Sequence, residues 1–451
     1  MNPFALFDEV GGTLVRYTRA GQRIVVGLSG GMDSVVLLTL LDELRPSLHF
    51  HLVAHHVNHQ ISPNSHEWQT FCANLCLARG IPFGATVVTV PRDSGKGLEA
   101  AARAARHVAF AKVDCDFIAL AHHQDDQAET LLLRLLRGAG VKGLGAMAEE
   151  GPLQANQSGD GAPLPRLLRP LLHVPRSSLL LYAQARRLMW IDDESNKDES
   201  YARNYLRAEV LPRVAARFPA YRSALDRAAS QFAHSAQLLD ALAAVDAAGA
   251  FAEDRLAVAP LAALEPARAA NVLRYWLAQN RLKMPDADHL NEILRQVTDA
   301  GAGAGVCIGH DGIQLRRFRG WLHIVHPRVA PTRDLHLPWP GRMHWNIAEL
   351  GGVLVFSEAV GVGLARSQLQ AGRVAVRLRS GGEQLRLAAN RPEQTLKNLF
   401  QAARIPPWER DCLPLLFIDE RLASVPGIGV DALFQAEPGM PSVLVNWMGK
   451  P

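Results

Sequence analysis

Apolar and polar positions along residues 24–135 fall into short runs that switch between the strand and helix periods. Arg23–Leu28 (RIVVGL) is a near-continuous apolar run, as a strand buried on both faces requires. The polar hexamer Ser29–Ser34 follows. A helical pattern then runs to about Leu44 and is expected to stop at Pro46. Leu48–Val57, Pro82–Val90 and Phe117–Leu120 read as three further strands. Glu67–Arg79, closed by Gly80, and Leu98–Val113 read as helices between them, and HHQDDQAET (122–130) opens another. This alternation predicts an α/β N-terminal domain built on a doubly wound parallel sheet, whose ligands sit beyond the carboxyl ends of the strands.

The pattern then changes. Residues 151–165 are rich in Gly, Pro, Ser and Asn and read as an exposed loop. Arg166–Arg187 resumes with Pro175 at a helix start. Residues 215–300 are helical and Ala-rich, with amphipathic stretches at Ala224–Leu242 and Ala267–Leu282. Residues 303–326 suit a hairpin turning at His310-Asp311-Gly312. Four prolines between Pro327 and Pro340 mark a linker, and a mixed strand–helix tail follows. Three domains are expected: 1–215 catalytic, 216–330 mainly helical, and 341–451 small α+β.

Composition narrows the class. The chain has 451 residues, 48% hydrophobic and 20% charged, which excludes wholesale disorder. No apolar run approaches the length of a membrane span, and MNPFALFDEVGG lacks the basic and long apolar regions of a signal peptide, so a cytoplasmic protein is expected. The five cysteines are odd in number and form no C-x-x-C, which argues against a disulfide framework. Cys72 and Cys76 read as buried thiols. Net charge is +4, and residues 371–410 alone carry eight basic and three acidic side chains, a local excess of five. Such a patch suits a polyanion, although a solvated charged face has the same composition. Gly381-Gly382 within it suits close backbone approach to phosphate, and Trp408 is available for stacking.

The chemistry concentrates in Ser29-Gly30-Gly31-Met32-Asp33-Ser34. Glycines at a strand-to-helix junction let the backbone approach a phosphate, and the helix start points free N–H groups at it. Ser29 and Ser34 add hydroxyl donors. Asp33 repels phosphate unless a cation intervenes, so Mg²⁺ is expected there, with Asp125 or Asp126 as possible partners. The loop is neither a Walker A sequence nor a dinucleotide fingerprint.

SGGMDS resembles the PP-loop of the ATP pyrophosphatase superfamily, which grips the departing pyrophosphate while AMP passes to a carbonyl-type oxygen. AHHVNH (54–59), Glu99…Arg103…Arg106, AHHQDDQAETLLLRLLRGAGVKGL (121–144), RPLLHVPR (169–176), DESNKDESYARNYLR (193–207), VRLRSGGEQLRL (376–387) and LKNLFQAARIPPWERDCLPLLF (396–417) follow in order. Together they resemble the tRNA(Ile)-lysidine synthetase family over most of the chain. One departure stands out: the family usually places Arg three residues after HVNH, and here Ser62 follows Gln60 and Ile61.

The resemblance implies a ligase that uses ATP to adenylate the C2 oxygen of the wobble cytidine in a tRNA(Ile) with a CAU anticodon. The amine of free L-lysine then displaces AMP. Within it Ser29, Gly30, Gly31, Met32, Asp33 and Ser34 would bind ATP, with Mg²⁺ on Asp33, Asp125 or Asp126. His122 or His123 would assist adenylyl transfer, and Arg203 or Arg207 would steady charge on the phosphate. Glu129 would meet the lysine amine. Glu99, Arg103 and Arg106, on one helix face, would contact cytidine, nucleotide or lysine, and Asn204 would lie nearby. Arg377, Arg379, Lys397 and Arg404 would hold tRNA phosphates. No membrane partner is implied, and the oligomeric state is open, with a homodimer among the options. Two alternatives remain at this point. One is another PP-loop tRNA modifier such as a cytidine thiolase, which would need sulfur-carrying cysteines. The other is a non-catalytic RNA-binding protein that holds ATP. Five histidines (His55, His56, His59, His122, His123) also leave room for a zinc site, and Glu99–Arg103 for a simple surface ion pair.

Overall fold

The apolar run Ile24-Val25-Val26 splits its side chains between two cores because successive residues of a strand point to opposite faces. Ile24 and Val26 join Leu6, Val10, Leu38 and Tyr182 in one fully buried cluster. Val25 joins Phe110, Ile118 and Leu167 in another. A sheet covered on both faces follows, which is why its strands read as apolar runs rather than as alternations.

The computed structural model describes residues 3–91, 97–153, 163–192, 202–252, 254–301, 305–327 and 335–449; the side chains of residues 3–5 and of Glu99 lie outside that description. The chain forms two compact units, Met1–Ala243 and Ala244–Pro451. In the first, α1 (Pro3–Tyr17), β1 (Arg23–Gly27), α2 (Met32–Leu48), β2 (His51–Asn58), α3 (Ser65–Ala78), β3 (Phe83–Val87), α4 (Leu98–Phe110), β4 (Phe117–Ala119) and α5 (Gln124–Leu136) appear in the expected order. They are followed by α6 (Val141–Leu144), β5 (Glu150–Pro152), β6 (Arg166–Leu168), α7 (Arg176–Ala185), α8 (Ala202–Tyr205), a π-helical turn (Leu206–Val210), α9 (Leu211–Arg217) and α10 (Tyr221–Asp246).

The sheet has six strands in the order β3-β2-β1-β4-β6-β5. All neighbours are parallel except β5, which runs antiparallel to β6. The chain leaves β1 toward β2 on one side, and β4 lies on the other, so the crevice beyond the ends of β1 and β4 is the topological switch point. Gly27 closes β1 under this crevice. A Cβ there would stand 2.8 Å from Leu120 Cδ2 and 3.0 Å from the Phe110 ring.

Two local expectations are corrected. Pro46 does not stop α2, which continues to Leu48 and ends at His49 in the left-handed conformation. Proline costs a helix one backbone bond, and seven fully or nearly fully buried residues from Val35 to Leu41 hold this helix in the core regardless. Strands β5 and β6 do not stand out from the 151–165 loop and the helix that follows it, because three-residue strands carry too little periodicity. Residues 154–162 of that loop and 328–334 of the proline-rich linker lie outside the described residues.

In the second unit, residues 307–310, 313–318 and 321–325 form an antiparallel meander. The expected turn at Asp311-Gly312 is present, with φ of 47° and 78°. A second turn at Arg319-Gly320 (φ 47° and 81°) adds a strand to the expected hairpin. Helices Pro266–Gln279 and Ala287–Asp299 accompany this five-stranded sheet. Beyond residue 335, a five-stranded and a four-stranded antiparallel sheet share a core that contains Phe356, Leu416, Ile418 and Val443. Among the described residues no helix is long and apolar enough to cross a membrane.

Candidate active site

The Ser29–Ser34 loop is braced by its own hydroxyls. Ser34 Oγ donates to Gly31 O (2.9 Å) and lies 3.1 Å from Ser29 Oγ, while Gly31 N donates to Ser29 Oγ (3.3 Å). Gly30 has φ +90°, which only glycine adopts without strain, and a Cβ there would meet Ile191 Cδ1 at 2.9 Å and Cys72 Sγ at 3.2 Å. Gly31 precedes α2 without any side-chain cap. The N–H groups at this helix start are therefore free of any side-chain cap. His56 supports the loop from below, its Nδ1 2.8 Å from Leu28 O. His55 is tied to Thr86 Oγ1 at 2.9 Å.

An open cleft of about 510 Å³ lies at the switch point, lined by Ser29, Gly31, Asp33 and Ser34 from the loop, Arg106 from α4, and His122 beyond β4. The two histidines of AHHQDD separate in role. His122 faces the cleft with an enclosed Nδ1 that has no hydrogen-bond partner. Burial, with Arg169, Arg106 and Arg103 close by, holds it well below the usual imidazole value against the pull of Asp126, so it is neutral. His123, 2% exposed, caps α5: its Nδ1 accepts from Asp126 N (3.4 Å), and Asp126 Oδ2 accepts from His123 N (3.1 Å). Its Nε2 sits 3.4 Å from Asp126 Oδ2 and 3.7 Å from Asp33 Oδ2. Burial opposes a charge there, but these carboxylates prevail and raise its pKa.

Asp33 lies between His123 and Arg176, whose Nε is 3.6 Å from Oδ1. Burial resists the charge, and these two partners overcome it, lowering the Asp33 pKa. Oδ1 is enclosed and makes no hydrogen bond. An ionised oxygen that makes no hydrogen bond, with only the Arg176 guanidinium 3.6 Å away, suits a hard divalent cation at the Ser29–Ser34 loop. Asp125 and Asp126 are more committed. Asp125 Oδ2 accepts Arg176 N at 3.1 Å, and its Oδ1 takes the Arg222 guanidinium. Asp126 is engaged in the cap. Among the described residues no group of three His, Cys, Asp or Glu is placed to hold a metal by itself, so the zinc alternative gains no support.

Glu129 is 1% exposed, and both of its oxygens are taken. Arg207 Nε and its terminal nitrogen lie at 2.8 and 3.0 Å, and Arg203 Nε at 2.9 Å. Arg203 also donates to Thr130 Oγ1 (2.9 Å). Glu129, Arg203 and Arg207 thus converge next to the α5 cap, where Arg207 also reaches Asp126 Oδ1 at 3.5 Å, with Asn204 half-buried on α8. Arg103 and Arg106 lie on α4, and Arg106 reaches the cleft. The Glu99 side chain and the run 193–201 lie outside the described residues. Arg222 and Ile191 carry no functional signal in the sequence, and Arg176 carries one only as the end of a motif. RPLLHVPR is visible as a motif, but nothing local ties its final arginine to Asp33.

In the tail, Arg377 is already paired with Glu420 (2.5 Å) and lies over the Phe417 ring. Arg379 is half-buried, and Lys397 and Arg404 are exposed. The Gly381-Gly382 turn has φ of 107° and 90°, and the N–H groups of Ser380 and Gly381 donate to the Glu383 carboxylate at 2.6 and 2.9 Å. Trp408 is not a free platform: it packs edge-on against Phe318 and His323 and under Arg316. Cys72 and Cys76 are fully buried, and burial pushes their thiols up to about 12 and about 11. Neither suits a sulfur carrier, which needs a thiolate.

Family models match three stretches: a PP-loop domain over residues 9–214, a TilS substrate binding domain over 256–323, and a TilS substrate C-terminal domain over 374–447. A tRNA(Ile)-lysidine synthase of Nitrosomonas europaea is 42% identical over 95% of this chain and 92% of its own length. That of Azoarcus sp. is 40% identical over 98% and 96%, and that of Legionella pneumophila 37% identical over 92% and 93%. Among solved structures, the U34-tRNA thiolase NcsA from Methanococcus maripaludis with its [4Fe-4S] cluster aligns with 51% of this chain and 79% of its own, at 20% identity and a TM-score of 0.43. Identity at this level along nearly the whole length of several relatives, through all three matched stretches, places the chain in the tRNA(Ile)-lysidine synthase family.

Proposed function

We propose that this chain converts the wobble cytidine of an isoleucine tRNA with a CAU anticodon to lysidine, in two steps at the switch-point cleft. In the first, the cytidine C2 oxygen attacks the α-phosphorus of ATP and pyrophosphate leaves. In the second, the amine of free L-lysine attacks C2, and AMP departs with that oxygen. The observation that carries the reading is the convergence of an uncapped helix start, the Ser29–Ser34 loop, Asp33 and His122 on one cleft.

The backbone of Gly30, Gly31 and Met32 and the hydroxyls of Ser29 and Ser34 grip the β- and γ-phosphates, where the helix dipole favours negative charge. Asp33 would hold Mg²⁺ through Oδ1, which makes no hydrogen bond, with Asp125 or Asp126 the other candidates. The ion would supply positive charge to offset that of the departing pyrophosphate. His122, neutral and uncommitted at Nδ1, is assigned to the transferring phosphate. Arg106 also lines the cleft, with Arg103 and Glu99 on the same helix, and these are assigned to nucleotide or cytidine. Free lysine is assigned to the neighbourhood of Glu129, Arg203, Arg207 and Asn204, where the part-exposed Arg207 offers a guanidinium for its carboxylate and Glu129 would meet its ammonium only on releasing an arginine.

Incubation with ATP, minor isoleucine tRNA and labelled lysine is expected to move label into the tRNA, with one AMP and one pyrophosphate per label. ATP turnover without incorporated lysine would reject the reading.

The segments 1–215, 216–330 and 341–451 would divide the labour, the first performing chemistry and the others holding the tRNA body. Lys397 and Arg404, exposed, and Arg379 are the assigned phosphate contacts; Arg377 spends its charge on Glu420. Replacing Lys397 and Arg404 with Ala is expected to weaken tRNA binding and flatten its salt dependence by about 0.7–0.9 in log K per log salt for each phosphate left without its cation. Arg377→Ala is expected to change that slope by less than either. Filter binding across a salt series measures this, and an unchanged slope in the double variant would remove both residues from the interface.

A further inference from the structure

The turn that caps α5 carries the catalytic apparatus, and it is held by more than its own capping box. Asp125 is clasped from two directions, by the backbone N–H of Arg176 at 3.1 Å and by the guanidinium of Arg222 on α10. Arg176 in turn extends its side chain to Asp33 Oδ1, 3.6 Å away. A second tie runs one turn further along α10. Asp226, 9% exposed, accepts from Gln124 Nε2 at 3.4 Å, and both of its oxygens lie 3.0 Å from His173 Nδ1. Gln124 is the residue next to His123, and its own N–H donates to Val174 O at 3.0 Å. Between the ties, Tyr221 packs with Ala128, and Ala229 with Leu131, so α10 lies along α5 on an apolar seam.

From this geometry we propose that Arg222 and Asp226 are positioning residues for the adenylation step, acting on Asp33 and His123 through Asp125, Arg176 and Gln124. The proposal rests on the function proposed above. Neither residue lines the cleft. Their effect is to fix the α5 cap and the start of α7 against each other. Without Arg222, Asp125 is a carboxylate with no side-chain cation on it, within 4.0 Å of His123 and close to Asp33. The imidazole and Arg176 are then drawn away from Asp33. An error of about 1 Å at a reacting centre is enough to cost on the order of 10²-fold in rate.

Arg222→Met, Arg222→Lys and Asp226→Asn in the full-length protein test this. Pyrophosphate release with tRNA and lysine at saturation is expected to fall at least about tenfold in kcat for Arg222→Met, with the KM for lysine and the Kd for tRNA within about threefold of the parent. Arg222→Lys, which keeps the charge, is expected to recover most of the activity, and Asp226→Asn to lose activity in the same kcat-selective way. A folded Arg222→Met enzyme with parental kcat would overturn the proposal, as would a Lys variant no better than Met. If the Met variant does not fold, the kcat and KM of Arg222→Lys and Asp226→Asn decide: losses confined to kcat support positioning, and parental kcat in both refutes it. A parent enzyme that makes no lysidine would reject the functional reading alone. The tie is then read from the rise in melting temperature on adding Mg–ATP, expected to be less than half as large in Arg222→Met as in the parent and near parental in Arg222→Lys. Equal rises in all three would count against it.

Discussion

Asp33→Asn is expected to leave a folded protein that binds tRNA and releases no measurable pyrophosphate, a loss of at least about 10³-fold. The substitution keeps the shape and removes the charge. In the parent that charge is maintained inside the protein by His123 and Arg176, which hold the carboxyl below its ordinary pKa. It is therefore a full negative charge at neutral pH, set at the first turn of α2 beside an open anion site. Such a placement is unfavourable toward phosphate on its own, and it makes sense if a cation joins the two. Asparagine cannot hold that cation with comparable strength and leaves Arg176 without its carboxylate, while His123 keeps Asp126 at 3.4 Å. Pyrophosphate release measures the first effect, and filter binding of tRNA checks that the rest of the molecule is intact. Turnover near the parental rate would remove Asp33 from the chemistry.

Glu129→Ala is expected to be the most damaging single change to stability in the first unit, about 3–5 kcal/mol. The carboxylate is enclosed and receives three guanidinium nitrogens within 3.0 Å. Arg203 has only 15% of its side chain exposed, so removing its counter-charge leaves a cation with little water to replace it. For a unit of this size the melting temperature should fall by roughly 6–20 °C, measured by calorimetry. Glu129→Gln should fall between, since it keeps the shape and hydrogen bonding but not the charge. A drop of only a degree or two in the Ala variant would mean that solvent reaches the arginines and that the Glu129 cluster is looser than its distances imply.

The sequence carried the sheet because each of its first four strands is an apolar run at one stage of a strand–helix alternation. It carried the loop because Gly and Ser have little other reason to cluster between a buried strand and a buried helix. What it could not carry was pairing across distance. Arg176 and Asp33 are 143 positions apart, and Arg222 and Asp125 are 97 positions apart. Each is an ordinary surface-type residue until the fold joins them. The two histidines of AHHQDD were legible as a pair but not as individuals, since only the direction of β4 sends His122 to the cleft and His123 to the helix cap. In the tail, Gly381-Gly382 and Trp408 advertised a ligand in composition, while the fold fills the first with Glu383 and the second with Phe318, His323 and Arg316.

The π-helical turn at Leu206–Val210 closes with the N–H of Leu211 on the carbonyl of Leu206, one residue more than an α-turn holds. That surplus residue resets the angular phase between Arg203 and Arg207, which lie before and near the start of the turn, and the apolar residues after it. Arg203 and Arg207 are aimed at Glu129, and immediately beyond, Leu211 enters the cluster with Ala128 and Tyr221. An uninterrupted α-register would rotate one of these two sets by about 100°. Excising that one residue would let the turn close as an ordinary α-turn with both sets still in place, whereas inserting one would rotate them out of phase by about 100°, so this short stretch should accept a one-residue deletion more readily than an insertion.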